Sequence, residues 1–239
     1  MPEDADLEEK EILKPILKYR EFNRFYMSER SNIRNKISWL RDIDSNNDFY
    51  IAYAHPFTKL GVHEIHFRHF PESKTDAFLF AHEIFHLVRI EDNKTPLMRC
   101  VERYMEHTTA LSSLLEDPIV DSILKTRYNF NLRPFYMHVI EKAKKQFGGE
   151  YADEFDRLRD GWIHAGWVLK WRLMDDKSAI KSWKRFNKKY ESVREKASRI
   201  SLDTITLVDN IGVDTIEKQA MIINKLLHDN NLKEMISLA

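Results

Sequence analysis

The sequence predicts an α+β protein that is mainly helical, with a small sheet and a helical C-terminal half. Glycine and proline are scarce among the 239 residues, at 6 and 7, which argues against a barrel or sandwich with many turns. Two segments, 49–54 and 62–70, have the composition or alternation of strands. Most of the remaining chain repeats its apolar residues at helical spacing, so helices should dominate the fold.

Composition excludes several classes of protein. Lys plus Arg and Asp plus Glu are both 38, so the chain as a whole is not a basic nucleic-acid binder. Hydrophobic residues at 43% exclude a disordered chain, and the single cysteine, Cys100, excludes an intramolecular disulfide. The acidic N-terminus lacks a signal-peptide pattern, and no apolar run is long enough to span a membrane. We therefore expect a cytoplasmic protein without a membrane partner.

The first element predicted is a helical segment, and a small sheet follows it. Apolar residues at helical spacing extend over 7–40, which predicts an N-terminal helical segment over 1–45. The apolar residues of this pattern are Leu7, Ile12, Ile16, Leu17, Phe22, Phe25, Tyr26, Ile33, Ile37 and Leu40. A turn at 44–48 leads to the strand 49–54. In 62–70, Ile65 and Phe67 alternate with Glu64, His66 and Arg68, which predicts a second, half-exposed strand.

Helices are predicted from Ser73 onward. Ser73 to Asp76 resembles a capping box that opens a helix through Ile90. Thr95-Pro96 predicts the start of the next helix. Further helices should be separated at 129–134, 148–149, 175–176 and 209–212, and Thr215 to Leu227 should form an amphipathic helix. These patterns predict a core over 46–130 and a helical region over 131–239 that packs on it.

The feature that points to chemistry is the segment AHEIFHLV, residues 81–88, which contains the pattern His-Glu-x-x-His. His82 and His86 are four residues apart, so on a helix both imidazoles face one metal ion. Glu83 can take a proton from a water on that ion. The helix is apolar nearly all round and should be buried, so its polar residues need partners, which a shared metal would supply.

The sequence resembles the zincin metallopeptidases over roughly residues 48–125. The resemblance rests on a strand-like segment (62–70), the His82-Glu83-x-x-His86 helix and a following helix rich in acids. It implies a zinc ion, a small sheet above the active-site helix and a sheet edge that binds an extended peptide. The C-terminal half resembles no family that we can name.

A third metal ligand is needed, because catalytic zinc usually has three protein ligands. The metzincin glycine and third histidine are absent after His86, so a downstream carboxylate is expected. Asp117 ranks first, because Asp121 follows one turn later, as in thermolysin-like zincins, where a second acid orients a ligand histidine. Glu116 ranks second and Glu106 third. Asp117 before proline is also a common N-cap pattern.

Other candidates have a structural interpretation that we prefer. Glu64 and His66 share one face of a strand, which predicts an exposed sheet face. His164 lies among tryptophans and is predicted to be a core histidine. Residues 168–199 are basic, but Trp183, Phe186 and Tyr190 have the spacing of a core-facing stripe, so the cations should form a solvated face.

Together these features predict a zinc-dependent metallohydrolase, specifically a peptidase that acts on a peptide or protein. His82, His86 and Asp117 would bind Zn²⁺, and Glu83 would be the general base. A sheet edge near 62–70 would hold the substrate. The alternative is a non-catalytic regulatory or binding protein that acts through its helical C-terminal half. Nucleic acid is not the expected partner.

Overall fold

The structure, a computed structural model, describes residues 8–41, 52–57, 60–146 and 148–239. Within these ranges the protein is mainly helical with two small sheets, which confirms the predicted mainly helical α+β class. The helices are α1 (Glu9–Leu13), α2 (Arg20–Glu29), α3 (Lys74–Glu91), α4 (Met105–Tyr128), α5 (Arg133–Gln146), α6 (Glu154–Trp171), α7 (Lys177–Val193), α8 (Glu195–Ile211) and α9 (Ile216–Asp229). The strands are β1 (Lys36–Arg41), β2 (Ala52–Phe57), β3 (Val62–Phe67), β4 (Met98–Cys100) and β5 (Ile236–Leu238).

The chain divides into two compact units. One comprises residues 1–93 and 122–134, and the other comprises residues 94–121 and 135–239. The predicted turn at 44–48, Leu7 and residues 49–51 of the predicted first strand lie outside the described residues. No helix within the described ranges combines the length and the apolarity that crossing a membrane requires.

The first unit contains a three-stranded sheet in the order β1-β3-β2, with β3 parallel to β1 and antiparallel to β2. Trp39, Ile65 and Phe67 point to its buried face. Helix α3 packs there through Phe80, whose ring stacks on Trp39 with 6.0 Å between the centroids. Because α3 is attached to the sheet by aromatic side chains, its position relative to the strands is fixed by packing.

The expectation of helix through Leu40 is wrong, because residues 36–41 form the strand β1. Ile33, Ile37 and Leu40 fit the spacing of a helix, but Ile37 and Trp39 also fit the alternation of a strand. Pairing with β3 leaves both side chains buried, with Trp39 only 1% exposed. The sheet therefore buries a large aromatic ring that the helical pattern did not include.

The expected helix start at Thr95-Pro96 is also wrong. Residues 98–100 form β4, which pairs with β5 at the C-terminus, and α4 begins only at Met105. The two strands have three residues each and are separated by more than half of the chain, so no local pattern announces them. The other predicted interruptions are confirmed, since α4, α5, α7, α8 and α9 begin or end at or beside them.

Close helix packing characterises the second unit. Gly166 of α6 lies against α4: a β-carbon there would be 3.3 Å from the Cα of Leu114. Gly161 lies against α8, where a β-carbon would be 2.9 Å from the carbonyl oxygen of Ala197. Both glycines allow α6 to approach its neighbours more closely than a larger residue would. This approach fixes the position of Lys170, which lies one turn beyond Gly166.

Candidate metal centre

Helix α3 begins at the predicted capping box. The backbone N–H of Asp76 donates to Ser73 Oγ at 3.1 Å, and the N–H of Ser73 donates to Asp76 Oδ2 at 2.9 Å. Two backbone donors at the helix end are thereby satisfied, which stabilises the start of the helix. Most residues of α3 are buried, as the apolar sequence predicts.

His82 and His86 point their ring nitrogens at each other one turn apart on α3. The two Nε2 atoms are 3.0 Å apart, and the ring planes are nearly perpendicular, at 81°. Zinc at about 2.0–2.1 Å from each nitrogen in tetrahedral geometry would place them about 3.3 Å apart. Only a small outward movement of the rings would therefore admit a zinc ion between them.

Asp117, the predicted third ligand, belongs to the second unit, whereas His82 and His86 belong to the first. Two imidazoles and a carboxylate form a common ligand set of catalytic zinc, so the chemistry of these three residue types fits that ion. His82 is buried, and His86 and Asp117 are partly buried. Asp117 as the third ligand and the identity of the metal both remain predictions.

The N-cap interpretation of Asp117 is wrong, because Asp117 and Pro118 lie in the interior of α4. Proline lacks a backbone N–H, so the carbonyl of residue 114 loses its usual helical partner. Residues on both sides of Asp117 are helical, so its side chain does not cap the start of a helix. A ligand on a helix is held more rigidly than one at a loop boundary.

Lys170 contacts the predicted third ligand. Its Nζ donates a hydrogen bond to Asp117 Oδ2 at 2.9 Å, and both side chains are largely shielded from solvent. A cation beside a carboxylate orients it, but also competes with a metal for its charge. Lys170 belongs to the basic segment 168–199, whose cations were predicted to form a solvated face, so this contact corrects that prediction for Lys170. Nothing in the local sequence pattern indicates the contact, because Asp117 is distant in the chain.

Asp121 lies one turn after Asp117 and is completely buried. It accepts a hydrogen bond from the hydroxyl of Tyr136. Burial, followed by the negative charge of Asp121, raises the pKa of Tyr136 well above the usual value, so the phenol stays protonated as a donor. The proposed orienting role of Asp121 toward a ligand histidine stays a prediction.

Glu83 contacts the sheet. Its Oε2 accepts a hydrogen bond from the backbone N–H of Ala54 in β2 at 2.9 Å. Ala54 pairs with Ile65 in the sheet, and β2 is the outer strand next to β3 among the described strands. The N–H of Ala54 thus points to the carboxylate of Glu83 and not to a backbone carbonyl of β3. Nothing in the sequence pattern identified Ala54 as the partner of Glu83.

The lower-ranked ligand candidates have other contacts. Thr95 Oγ1 donates to Glu116 Oε2 at 2.8 Å, and Glu116 is buried. Glu106 forms an ion pair with Arg159, and its side chain is 73% exposed, as expected of a solvated helix face. Neither belongs to a group of possible metal ligands among the described residues.

Glu64 and His66 lie on the face of the sheet opposite α3, so they do not approach His82 and His86. The peptide-binding edge expected near 62–70 is wrong, because β3 is the central strand, with β1 and β2 on its two sides. Strand order depends on pairing with distant residues, which local alternation does not encode. His55 of β2 joins Glu64 and His66 on that face, a position that the sequence does not indicate because the predicted strand ends at Ala54.

His164 is a buried core residue, as predicted. Its Nδ1 is 2.9 Å from Ser201 Oγ and its Nε2 is 2.8 Å from Asn187 Oδ1, while the Tyr190 ring stacks on it at 3.7 Å. Burial lowers the pKa of His164 to about 4, so the ring is neutral near pH 7. Trp183, Phe186 and Tyr190 are all buried, which confirms the predicted core-facing stripe.

Comparison of the chain with protein-family models, with curated proteins and with solved structures found no match.

Proposed function

We propose that this protein is a zinc-dependent hydrolase that cleaves peptide bonds, with His82, His86 and Asp117 as metal ligands. The observation that carries this proposal is the pair of ring nitrogens of His82 and His86, whose Nε2 atoms lie 3.0 Å apart on one turn of α3. Two imidazoles one turn apart on a helix can bind one divalent cation, and Asp117 would supply the third ligand.

Glu83 is the proposed general base. A zinc ion held there would lower the pKa of a water molecule, so that the water could lose a proton and attack a carbonyl near neutral pH. Glu83 lies next to the first ligand on α3, so it would accept the proton of the attacking water and return it to the leaving amine. Its hydrogen bond from Ala54 holds the carboxylate in one orientation.

The substrate proposed is an extended peptide. β2 is an outer strand of the described sheet and β3 is the central one, so β2 and not β3 is the strand that we propose for pairing with a substrate backbone. Glu83 contacts this same strand, which would place the proton acceptor beside the bound peptide.

Hydrolysis of a mixed peptide library by zinc-loaded wild type and Glu83→Gln tests the proposal. Glutamine keeps an oxygen that can accept from the Ala54 N–H, so the fold and the zinc content should be unchanged. The variant cannot take up a proton, and cleavage should fall by about 10²–10⁴-fold. Equal cleavage by both proteins, or no cleavage by the zinc-loaded wild type, would contradict the proposal.

The ion pair between Lys170 and Asp117 favours the second candidate, a non-catalytic binding protein. In that protein the lysine would supply the positive charge that Asp117 needs, and His82 and His86 would share a proton instead of a metal. This candidate predicts that the wild type takes up no zinc at the α3 histidines. Zinc content therefore separates the two candidates before any substrate is known.

A further inference from the structure

The solvent-facing side of the three-stranded sheet carries a second group of possible metal ligands. His55 of β2 lies directly opposite Glu64 of β3 in the antiparallel register, and His66 follows Glu64 by two residues. Side chains alternate along a strand, so these three residues lie on one face. Ala54 and Ile65, which are their neighbours in sequence, point to the opposite face, where α3 packs.

The three side chains already converge. Their ligand atoms all lie within 4.8 Å of one another, and His66 Nε2 is 3.1 Å from Glu64 Oε2. The ring of Tyr53 stacks on His66 with 4.7 Å between the centroids and 5° between the planes, which restricts the histidine ring. Two imidazoles and a carboxylate thus meet without a change of backbone.

We propose that His55, Glu64 and His66 bind a divalent transition-metal ion, specifically Zn²⁺, on the outer face of the sheet. Imidazole nitrogens favour zinc, whereas Mg²⁺ and Ca²⁺ favour sites built from oxygen atoms. His55 is exposed and the other two are partly buried, so water completes the coordination. The site is separate from the α3 histidines and does not depend on the proposed hydrolase activity.

The ion would join β2 to β3 next to Ala54, whose N–H holds Glu83. A ligand that binds only the folded protein raises the free energy of unfolding in proportion to the logarithm of its concentration over Kd. Zinc at this site therefore crosslinks the two strands and stabilises their pairing. Its removal would loosen β2, because among the described strands β2 pairs with β3 alone.

The test is a titration of the protein with zinc chloride, followed by NMR of histidine ring nitrogens and by competition with a chromophoric chelator. The protein is the double variant His82→Ala/His86→Ala, in which the α3 histidines cannot contribute. Where that variant is not folded by circular dichroism, the resolved ring signals of the wild type are used instead. The ring signals of His55 and His66 should shift together on zinc addition.

Three variants decide which residues bind: His55→Ala, His66→Ala and the isosteric Glu64→Gln, which preserves the shape of the strand. Loss of a group that merely orients a ligand weakens metal binding by about 10–100-fold, so loss of a ligand should weaken it at least tenfold. His228→Ala is the control, because His228 is exposed on α9, outside the group. The affinity of this variant for zinc should equal that of the parent protein. Unshifted ring signals up to about 1 mM zinc, or equal affinity in all variants, would overturn the proposal.

Discussion

Lys170 of α6 donates a hydrogen bond to Asp117 of α4, with 2.9 Å between Nζ and Oδ2. The ammonium group of Lys170 partly neutralises the carboxylate of Asp117, which a metal ion would otherwise bind. Because both side chains are largely shielded from solvent, this pair is more strongly coupled than an exposed ion pair. The energy of the site therefore depends on which cation Asp117 has as its partner.

Substitution of Lys170 by Met should make the free energy of unfolding depend more strongly on zinc. Without metal, the shielded carboxylate of Asp117 would lose the lysine cation, and the free energy of unfolding should fall by roughly 1–3 kcal/mol. Zinc would replace the missing charge, so it should bind more tightly to the variant, by roughly tenfold. Urea denaturation with and without zinc measures both effects.

The matched control for this substitution is Lys225→Met, which removes an exposed ion pair with Asp229. Exposed pairs contribute little, so this variant should stay within about 0.5 kcal/mol of the wild type under both conditions. A Lys170→Met protein whose zinc response equals that of Lys225→Met would show that Lys170 does not compete for Asp117.

Gly161→Ala should destabilise the second unit. A β-carbon there would lie 2.9 Å from the carbonyl oxygen of Ala197 and 2.7 Å from Ile200 Cγ2, so α6 and α8 would have to move apart. Alanine is favoured over glycine in a helix by about 1 kcal/mol. Overpacking costs about 1–3 kcal/mol, and the cost should exceed this gain here because backbone atoms must move.

Gly148→Ala is the control, because apart from its chain neighbours no atom lies within 4 Å of a β-carbon at position 148. Chemical denaturation should show a lower midpoint for Gly161→Ala and an unchanged midpoint for Gly148→Ala. Equal midpoints would mean that α6 and α8 are not as closely packed as the structure has them.

His164 should make stability depend on pH between about 4 and 6.5. Burial lowers its folded-state pKa to about 4, whereas the ordinary value is 6.5, so the unfolded chain binds the proton more readily in this window. The free energy of unfolding should therefore fall as the pH falls through the window. The effect of this one group is on the order of 3 kcal/mol below pH 4.

Denaturation midpoints at a series of pH values check this prediction. His164→Gln removes the titrating ring, so its midpoint should change less between pH 7 and pH 4 than that of the wild type. His228→Gln alters an exposed histidine and should follow the wild type. A His164→Gln curve parallel to the wild-type curve would show that His164 is not the group responsible.

The features that the sequence predicts correctly are those encoded locally. The capping box at Ser73 and Asp76 lies within four residues, and the two α3 histidines are one turn apart. The apolar surroundings of the pair also predict its burial. Local hydrogen bonds and helix periodicity are sufficient for each of these, because no distant residue has to be known.

The features that the sequence does not predict depend on distant partners. Ile37 and Trp39 become part of a strand only because β3 lies beside them, and Met98 is in a strand because it pairs with Leu238. Local spacing around Ile37 fits a helix equally well. The contact between Lys170 and Asp117 also joins residues that are far apart in the chain.

Whether α3 holds a catalytic metal is decided by the zinc content of the purified protein, measured by elemental analysis in a His55→Ala background so that the sheet site does not contribute. We predict one tightly held zinc per chain in this parent, the same in Glu83→Gln, and none after His82→Ala or Asp117→Asn. A parent that takes up no zinc when zinc is supplied, or a His82→Ala protein that keeps it, would show that these histidines do not form a zinc site.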